Sequence, residues 1–367
     1  MKFQSLFLFI FLIVCNSLHS QILEGNIFDQ ETKTPLQAAT VYLDGTTIST
    51  ITDENGYFKI NGAGSKSTLV ISFVGYKTSR IDNPFQYKKI KTYLELESFS
   101  MEEVFIGKSV FTRKSMLKAF RESFLGTSEA GRSCKIENED ALNFFYDEVK
   151  NTFTATSRVS LKIKNSRLGY EIYFDLVDFN VEFSRTSLSR DFMKKSSFAG
   201  TAFYKDISKS KKDKERLESY LGSASHLMET IASESWEKEK FRLYVGKFQV
   251  DPKEYFAVKD TLNIRKVTII KQPTQNVAIY KPLTGKIDYS KPIKPEIIGY
   301  EDKKTHFNIL YDKKKQSVAD FYENEFIVDE NGNYSPIYVV MFSGYIGFLK
   351  VGDMLPSDYY QTIKGKY

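Results

Sequence analysis

Residues 21–96 constrain the fold most, because short alternating apolar segments there are cut at close intervals by turn chemistry. Gly25-Asn26-Ile27-Phe28-Asp29 opens the stretch, Thr32-Lys33-Thr34-Pro35-Leu36 turns it, Ala39-Thr40-Val41-Tyr42-Leu43 resumes it, and Thr52-Asp53-Glu54-Asn55-Gly56-Tyr57-Phe58 turns it again. Further on, Leu69, Ile71 and Phe73 share one face before Gly75-Tyr76, the pattern of a half-buried strand that ends at a turn. A small β-sandwich is predicted. Asp53-Glu54-Asn55-Gly56 offers oxygen ligands beside a glycine, as a calcium loop does, but its acidic ladder stops there. The same residues supply the positive-φ positions of a tight hairpin, so a turn is the expectation.

Lys2, the apolar run from Leu6 to Val14 and the polar residues ending at Ser20 have the form of a secretory signal peptide, too short for a stable membrane anchor. Cleavage before Gln21 and soluble export are expected. Leu12-Ile13-Val14-Cys15 resembles a lipobox, but Val14 is bulkier than the small residue that precedes an acylated cysteine, so lipidation at Cys15 is the lesser reading. With the leader gone Cys134 is the sole cysteine and no internal disulfide is possible. The remaining 51 Lys and Arg face 46 Asp and Glu without a concentrated basic stripe, which argues against a nucleic-acid partner. No later apolar run reaches the ~20 residues of a membrane helix.

The residues quoted from Gly25 to Tyr76, with Leu69-x-Ile71-x-Phe73-x-Gly75-Tyr76 at the end, resemble the carboxypeptidase-regulatory-like domain. That resemblance implies a transthyretin-like β-sandwich of the kind found at the N-terminus of exported Bacteroidetes-type proteins, including many TonB-dependent receptors. Leu94-Glu95-Leu96-Glu97 and Met101-Glu102-Glu103-Val104-Phe105-Ile106 are similar to the segment that follows the module in those receptors, where it can engage an energy-coupling partner. No plug follows here, so a last strand and a linker are expected.

Beyond the linker, Thr112 can cap a helix whose Met116, Phe120 and Phe124 repeat at i, i+4, with Leu117 adjoining and Gly126 ending it. Strands are expected at Leu142–Tyr146, Asn151–Ala155, Gly169–Phe174 and Phe179–Phe183, in an antiparallel sheet with one wet face. Helical periodicity follows a charge run at residues 209–216, through Leu217, Tyr220 and Leu221, and resumes after Gly222-Ser223 through Leu227, Met228 and Ile231. Val267–Ile270 and Ile337–Phe342 read as strands, and Lys281-Pro282, Lys291-Pro292 and Lys294-Pro295 as loops. Phe124-Leu125-Gly126-Thr127-Ser128, Tyr220-x-Gly222-Ser223-x-x-His226 and Met354-Leu355-Pro356-x-x-Tyr359 are similar to the C-terminal part of uncharacterised Bacteroidetes proteins that carry the same N-terminal module. The expected organisation is a signal peptide at 1–20, a transthyretin-like sandwich at 21–97, a linker at 98–110 and a larger antiparallel α+β domain at 111–367, mainly β overall.

Few residues carry candidate chemistry. His226-Leu227-Met228-Glu229 reads as H-x-x-E with His306 downstream, the pattern in which two histidines and a glutamate hold zinc. Only 138 residues follow Glu229 and 77 separate it from His306, too few for the large catalytic domain of a zinc carboxypeptidase, in which the sandwich moreover follows the enzyme. Packing or capping is the expected role of these side chains. Ser223 lacks the second glycine of a nucleophile elbow and reads as a helix N-cap. Cys134 has Arg132 and Lys135 beside it but no nearby histidine, and reads as an ordinary thiol. Phosphate-cradling glycine motifs are absent. The 23 Tyr and 30 Phe stand against a single Trp; such faces bind glycans or proteins, but in a sheet they more often pack.

The sequence therefore points to an exported, non-catalytic binding or scaffolding protein of the periplasm or outer membrane, without cofactor, whose partner is an envelope protein or a glycan. The alternative from another class is an envelope metal-dependent hydrolase using His226, Glu229 and His306. A third reading, an outer-membrane barrel suggested by the terminal Tyr367, is opposed by the charged helix and the lack of regular ten-residue alternation.

Overall fold

The computed structural model describes residues 22–62, 67–97, 109–261, 264–273, 278–280, 297–300 and 305–359. The leader with Cys15, residues 101–106 and the three Lys-Pro pairs lie outside them. The chain is mostly β and divides into two compact units, Met1–Lys212 with Pro356–Tyr367, and Asp213–Leu355. The division falls inside the range 111–367, and the sandwich shares a unit with the sheet that follows it.

The sandwich comprises β1 (Ile22–Asp29), β2 (Thr40–Leu43), β3 (Ser49–Ile51), β4 (Tyr57–Asn61), β5 (Leu69–Ser72), β6 (Ser79–Ile81) and β7 (Ile90–Leu94). One sheet runs β4-β1-β7 and the other β3-β2-β5-β6. All pairs are antiparallel except β1 with β7, which is parallel. Alternation on β1 sends Leu23 and Ile27 into a core that also takes Val41, Phe58, Leu69 and Ile71. The Asp53 turn forms as expected: Gly56 has φ +66°, and Asp53 Oδ1 accepts from the amides of Asn55 and Tyr57 at 2.9 and 2.8 Å. It joins strands of the two different sheets, however, and is not a hairpin.

The next element is helix α1 (Arg113–Phe124), whose first turn is capped by Thr112 Oγ1 accepting from Ser115 N at 3.2 Å. Met116, Phe120 and Phe124 are buried, as their spacing predicts, and Gly126 at φ +93° follows the helix. A short helix, α2 (Glu129–Arg132), precedes β8 (Cys134–Ile136), β9 (Leu142–Asp147), β10 (Thr152–Ser157), β11 (Leu161–Asn165), β12 (Tyr170–Phe183) and β13 (Met193–Asp206). The Phe120 and Phe124 rings pack at 4.7–5.6 Å on Phe144, Phe174, Phe179 and Phe198, which fixes α1 on this sheet.

Gly169–Phe174 and Phe179–Phe183, expected as two strands, are the two halves of the single strand β12. They stay joined because β13 pairs along the whole length and absorbs the irregular step between Leu176 and Asp178 as a bulge at Val177. On the other edge β11 takes the first half of β12 and β10 the second. Opposite the bulge stands Gly200, where an added Cβ would lie 2.3 Å from the Asp175 carbonyl oxygen.

The second unit contains α3 (Asp213–Tyr220), α4 (Ala224–Ser233), β14 (Phe241–Val245), β15 (Phe248–Val250), β16 (Phe256–Thr261), β17 (Ile264–Ile269), β18 (Ala278–Tyr280), β19 (Ile297–Tyr300), β20 (Thr305–Tyr311), β21 (Lys315–Phe321), β22 (Glu325–Asp329), β23 (Tyr334–Ser335), β24 (Val340–Ser343) and α5 (Gly344–Phe348). Two sheets, β15-β14-β20-β21-β24 and β16-β17-β22-β23, share one core with α4, built from Leu227, Met228, Ile231, Phe256, Phe307 and Phe321. Ile337–Val339, expected as strand, is a 3-10 turn that leaves Ile337 and Tyr338 exposed, and only Val340–Ser343 pairs with β21. Among the described residues no helix is long and apolar enough to cross a membrane.

Candidate functional site

His226 lies in the first turn of α4, which Ser223 caps as expected, its Oγ accepting from His226 N at 3.2 Å. Both ring nitrogens are engaged. Gly222 N donates to Nδ1 at 2.9 Å, so that nitrogen is the unprotonated one, and Nε2–H faces Glu239 Oε2 at 3.1 Å. The Tyr220, Phe241 and Tyr311 rings close around the imidazole at 4.9–5.6 Å. Burial pushes the histidine below its ordinary value despite the Glu239 carboxylate, which keeps the ring neutral.

Glu229, one turn later, accepts from Ser233 Oγ at 3.3 Å and stands 3.5 Å from the Arg265 guanidinium. His306 sits on β20, and its Nδ1 pairs with Asp320 Oδ1 on β21 at 2.7 Å, across the register. The three side chains flagged by H-x-x-E are thus tied to three different partners. Among the described residues no group of three His, Cys, Asp or Glu is arranged to hold a metal ion. The Cys134 thiol donates to Ala130 O at 3.3 Å, while Arg132 turns its guanidinium to Thr127 O.

In the first unit the sequence signalled no site, yet the sandwich and the α1-backed sheet are sewn together there. Tyr42 points away from the sandwich core, and its hydroxyl donates to Asp175 Oδ2 at 2.7 Å and meets Thr201 Oγ1 at 3.0 Å. The loop after β2 then runs along the free edge of β13: Gly45 N donates to Ala202 O at 2.7 Å, and Tyr204 N to Thr46 O at 2.9 Å. Asp44 Oδ1 accepts from Ala202 N at 2.8 Å, and burial raises this carboxyl above its usual range. From the C-terminal segment, Ser357 N donates to Gly45 O, and Asp358 accepts from Thr47 N and Oγ1. This seam explains why β5 is buried on both faces instead of half-buried. Val70 pairs with Tyr42 in register and shares its covered side.

Beside the seam opens a cleft of about 360 Å³, walled by the turn after β5, the turn between β10 and β11, and the bulge of β12. Arg80 and Arg158 line it with Asp175, which also accepts from Ser160 Oγ. Val74 and Val177, 82% and 64% exposed, give it apolar edges. A cleft at such a junction, with apolar edges and a few fixed polar groups, is suited to holding a ligand.

No curated protein matches the sequence. Among solved structures, the chain is similar to a 9R-lipoxygenase from Cyanothece PCC8801 at 10% identity over 58% of this chain, with a TM-score of 0.17, too slight a likeness to carry an argument. The chain spans about half of that structure, 48%. The informative match is local and coincides with the sandwich: residues 23–106 match the CarboxypepD_reg-like domain, the family whose fold the N-terminal residues resemble.

Proposed function

We propose that the protein is an exported, non-catalytic binding or scaffolding protein of the cell envelope, in which the CarboxypepD_reg-like sandwich is a fixed platform for the sheet that follows it. The observation that carries this reading is the seam at Tyr42, Asp44 and Gly45, where backbone and side-chain bonds make the sandwich continuous with β13. A module joined in that way holds a surface in place; a tethered regulatory module would hang from a linker. The occupied ring nitrogens of His226 and the Glu229 and His306 pairings also support a role outside catalysis, since each side chain already serves the packing of its own element. CarboxypepD_reg-like domains are typical of proteins outside the cytoplasm, which supports the envelope address.

The test is equilibrium binding with the chain from Gln21 immobilised, against solubilised envelope fractions and a glycan array. Saturable binding of an envelope protein or glycan is expected. Absence of saturable binding, or a zinc-dependent hydrolysis that His226→Gln abolishes, would contradict the reading.

A further inference from the structure

In the second unit, two cavities of about 580 and 570 Å³ adjoin along one wall, made by Trp236, Glu237, Gln249, Val250 and Pro252. The wall has a clear origin. Residues 235–241 turn tightly after α4, with Glu239 N bonded to Ser235 O and Phe241 N to Trp236 O, both at 2.9 Å. The turn brings the indole against Phe256, with ring centroids 5.9 Å apart. Opposite it, β15 is the edge strand of its sheet, joined to β14 through Gly246 at φ +59°. Phe248 on that strand is 79% exposed at the tip of the hairpin.

The chemistry of the lining selects a ligand class. Its four carboxylates, Glu234, Glu237, Asp251 and Asp312, are matched by four cations, among them Lys240 and Arg242, so the groove attracts neither anions nor cations as a whole. Glu234 and Glu237 make no side-chain hydrogen bond or ion pair among the described residues, and both are exposed. Gln249 accepts a 3.4 Å bond from the Tyr244 hydroxyl and keeps its amide donors. Planar hydrogen-bonding groups of both kinds and no net charge suit a neutral polyhydroxylated chain, whose hydroxyls both donate and accept.

We propose that this groove is a binding site for a neutral oligosaccharide of two to four sugar units, with Glu237 and Gln249 as hydrogen-bonding residues and Trp236 as part of its wall. This rests on the binding-protein reading and adds the ligand class and the place.

Trp236 is the only tryptophan in the chain, so its fluorescence reports on this wall alone. The full chain is titrated with cellotetraose, xylotetraose, maltotetraose and chitotetraose, up to about 10 mM, where even millimolar affinities register. At least one sugar is expected to shift or quench the emission saturably. Glu237→Ala and Gln249→Ala are each expected to raise the half-saturation concentration at least tenfold, with the unliganded spectrum unchanged as the control for folding. Silence across the panel, variants that bind as well as the parent, or a saturable response to an extended peptide where the sugars give none would overturn the proposal. Saturable capture of an envelope partner with this fluorescence unmoved would sink the groove and leave the broader function standing.

Discussion

The Tyr42 hydroxyl donates to Asp175 Oδ2 at 2.7 Å, linking a sandwich strand to a strand 133 residues further along the chain. Tyr42 is 1% exposed, and burial together with the Asp175 charge raises the phenol well above its ordinary value, so it donates at any physiological pH. Tyr42→Phe removes the hydrogen bond to the Asp175 carboxylate together with the contact to Thr201 Oγ1, and leaves the ring packing intact. A loss of about 2 kcal/mol in the stability of the first unit is expected, read from chemical denaturation, with contact to Phe203 preserved. An unchanged midpoint would mean that the seam rests on its backbone bonds alone.

A tetrapeptide repeated in the sequence gives a second expectation. Asp53-Glu54-Asn55-Gly56 and Asp329-Glu330-Asn331-Gly332 form the same turn, with Asp329 Oδ1 accepting from Asn331 N at 2.8 Å and Asn333 N at 2.9 Å. Gly332 has φ +78°, and a Cβ there would stand 2.1 Å from Ser225 O at the start of α4. Gly246, at φ +59° in the same unit, has nothing within 4 Å of its Cβ position. Gly246→Ala is expected to cost about 1 kcal/mol for the left-handed backbone. Gly332→Ala adds a clash with backbone and is expected to cost more than about 3 kcal/mol. Equal losses in urea denaturation would refute the contact.

Stability of the second unit is expected to fall as the solution is acidified. His226 is held neutral by burial, so its folded pKa lies below the unfolded value near 6.5. Between those two values the unfolded chain binds the extra proton, and stability therefore rises with pH. The contribution is complete above pH 6.5 and is lost as pH falls toward the folded value. Denaturation midpoints measured from pH 7.5 to 5 should decline in the parent protein, and the His226 share of that decline should vanish in His226→Gln. A parent protein as stable at pH 5 as at 7.5 would contradict the assignment.

Local chemistry was legible in the sequence. Thr112 and Ser223 cap the helices they were expected to cap, because a side-chain oxygen three residues from the amide it satisfies is a short-range signal. The core face of α1 followed from the spacing of Met116, Phe120 and Phe124 for the same reason. The seam was not legible. Tyr42 and Val70 look like ordinary outward residues of sandwich strands, and their burial depends on β12 and β13 arriving from far along the chain. Asp175 and Asp178 interrupt the apolar pattern of β12, which makes one strand look like two, and only the pairing with β13 shows the step as a bulge at Val177. The groove at Trp236 had one faint signal, the lone tryptophan, and needed the edge strand β15 opposite it to become a cavity.

The platform reading is tested most directly by hydrogen exchange of the first unit under rising denaturant, followed peptide by peptide. Amides of β2 and β5 are expected to open together with those of β12 and β13, at one common free energy, and Tyr42→Phe to lower all four alike. Exchange of β2 and β5 at denaturant concentrations where β12 and β13 remain protected would show a sandwich that melts on its own, and would contradict the fixed platform on which the proposed function rests.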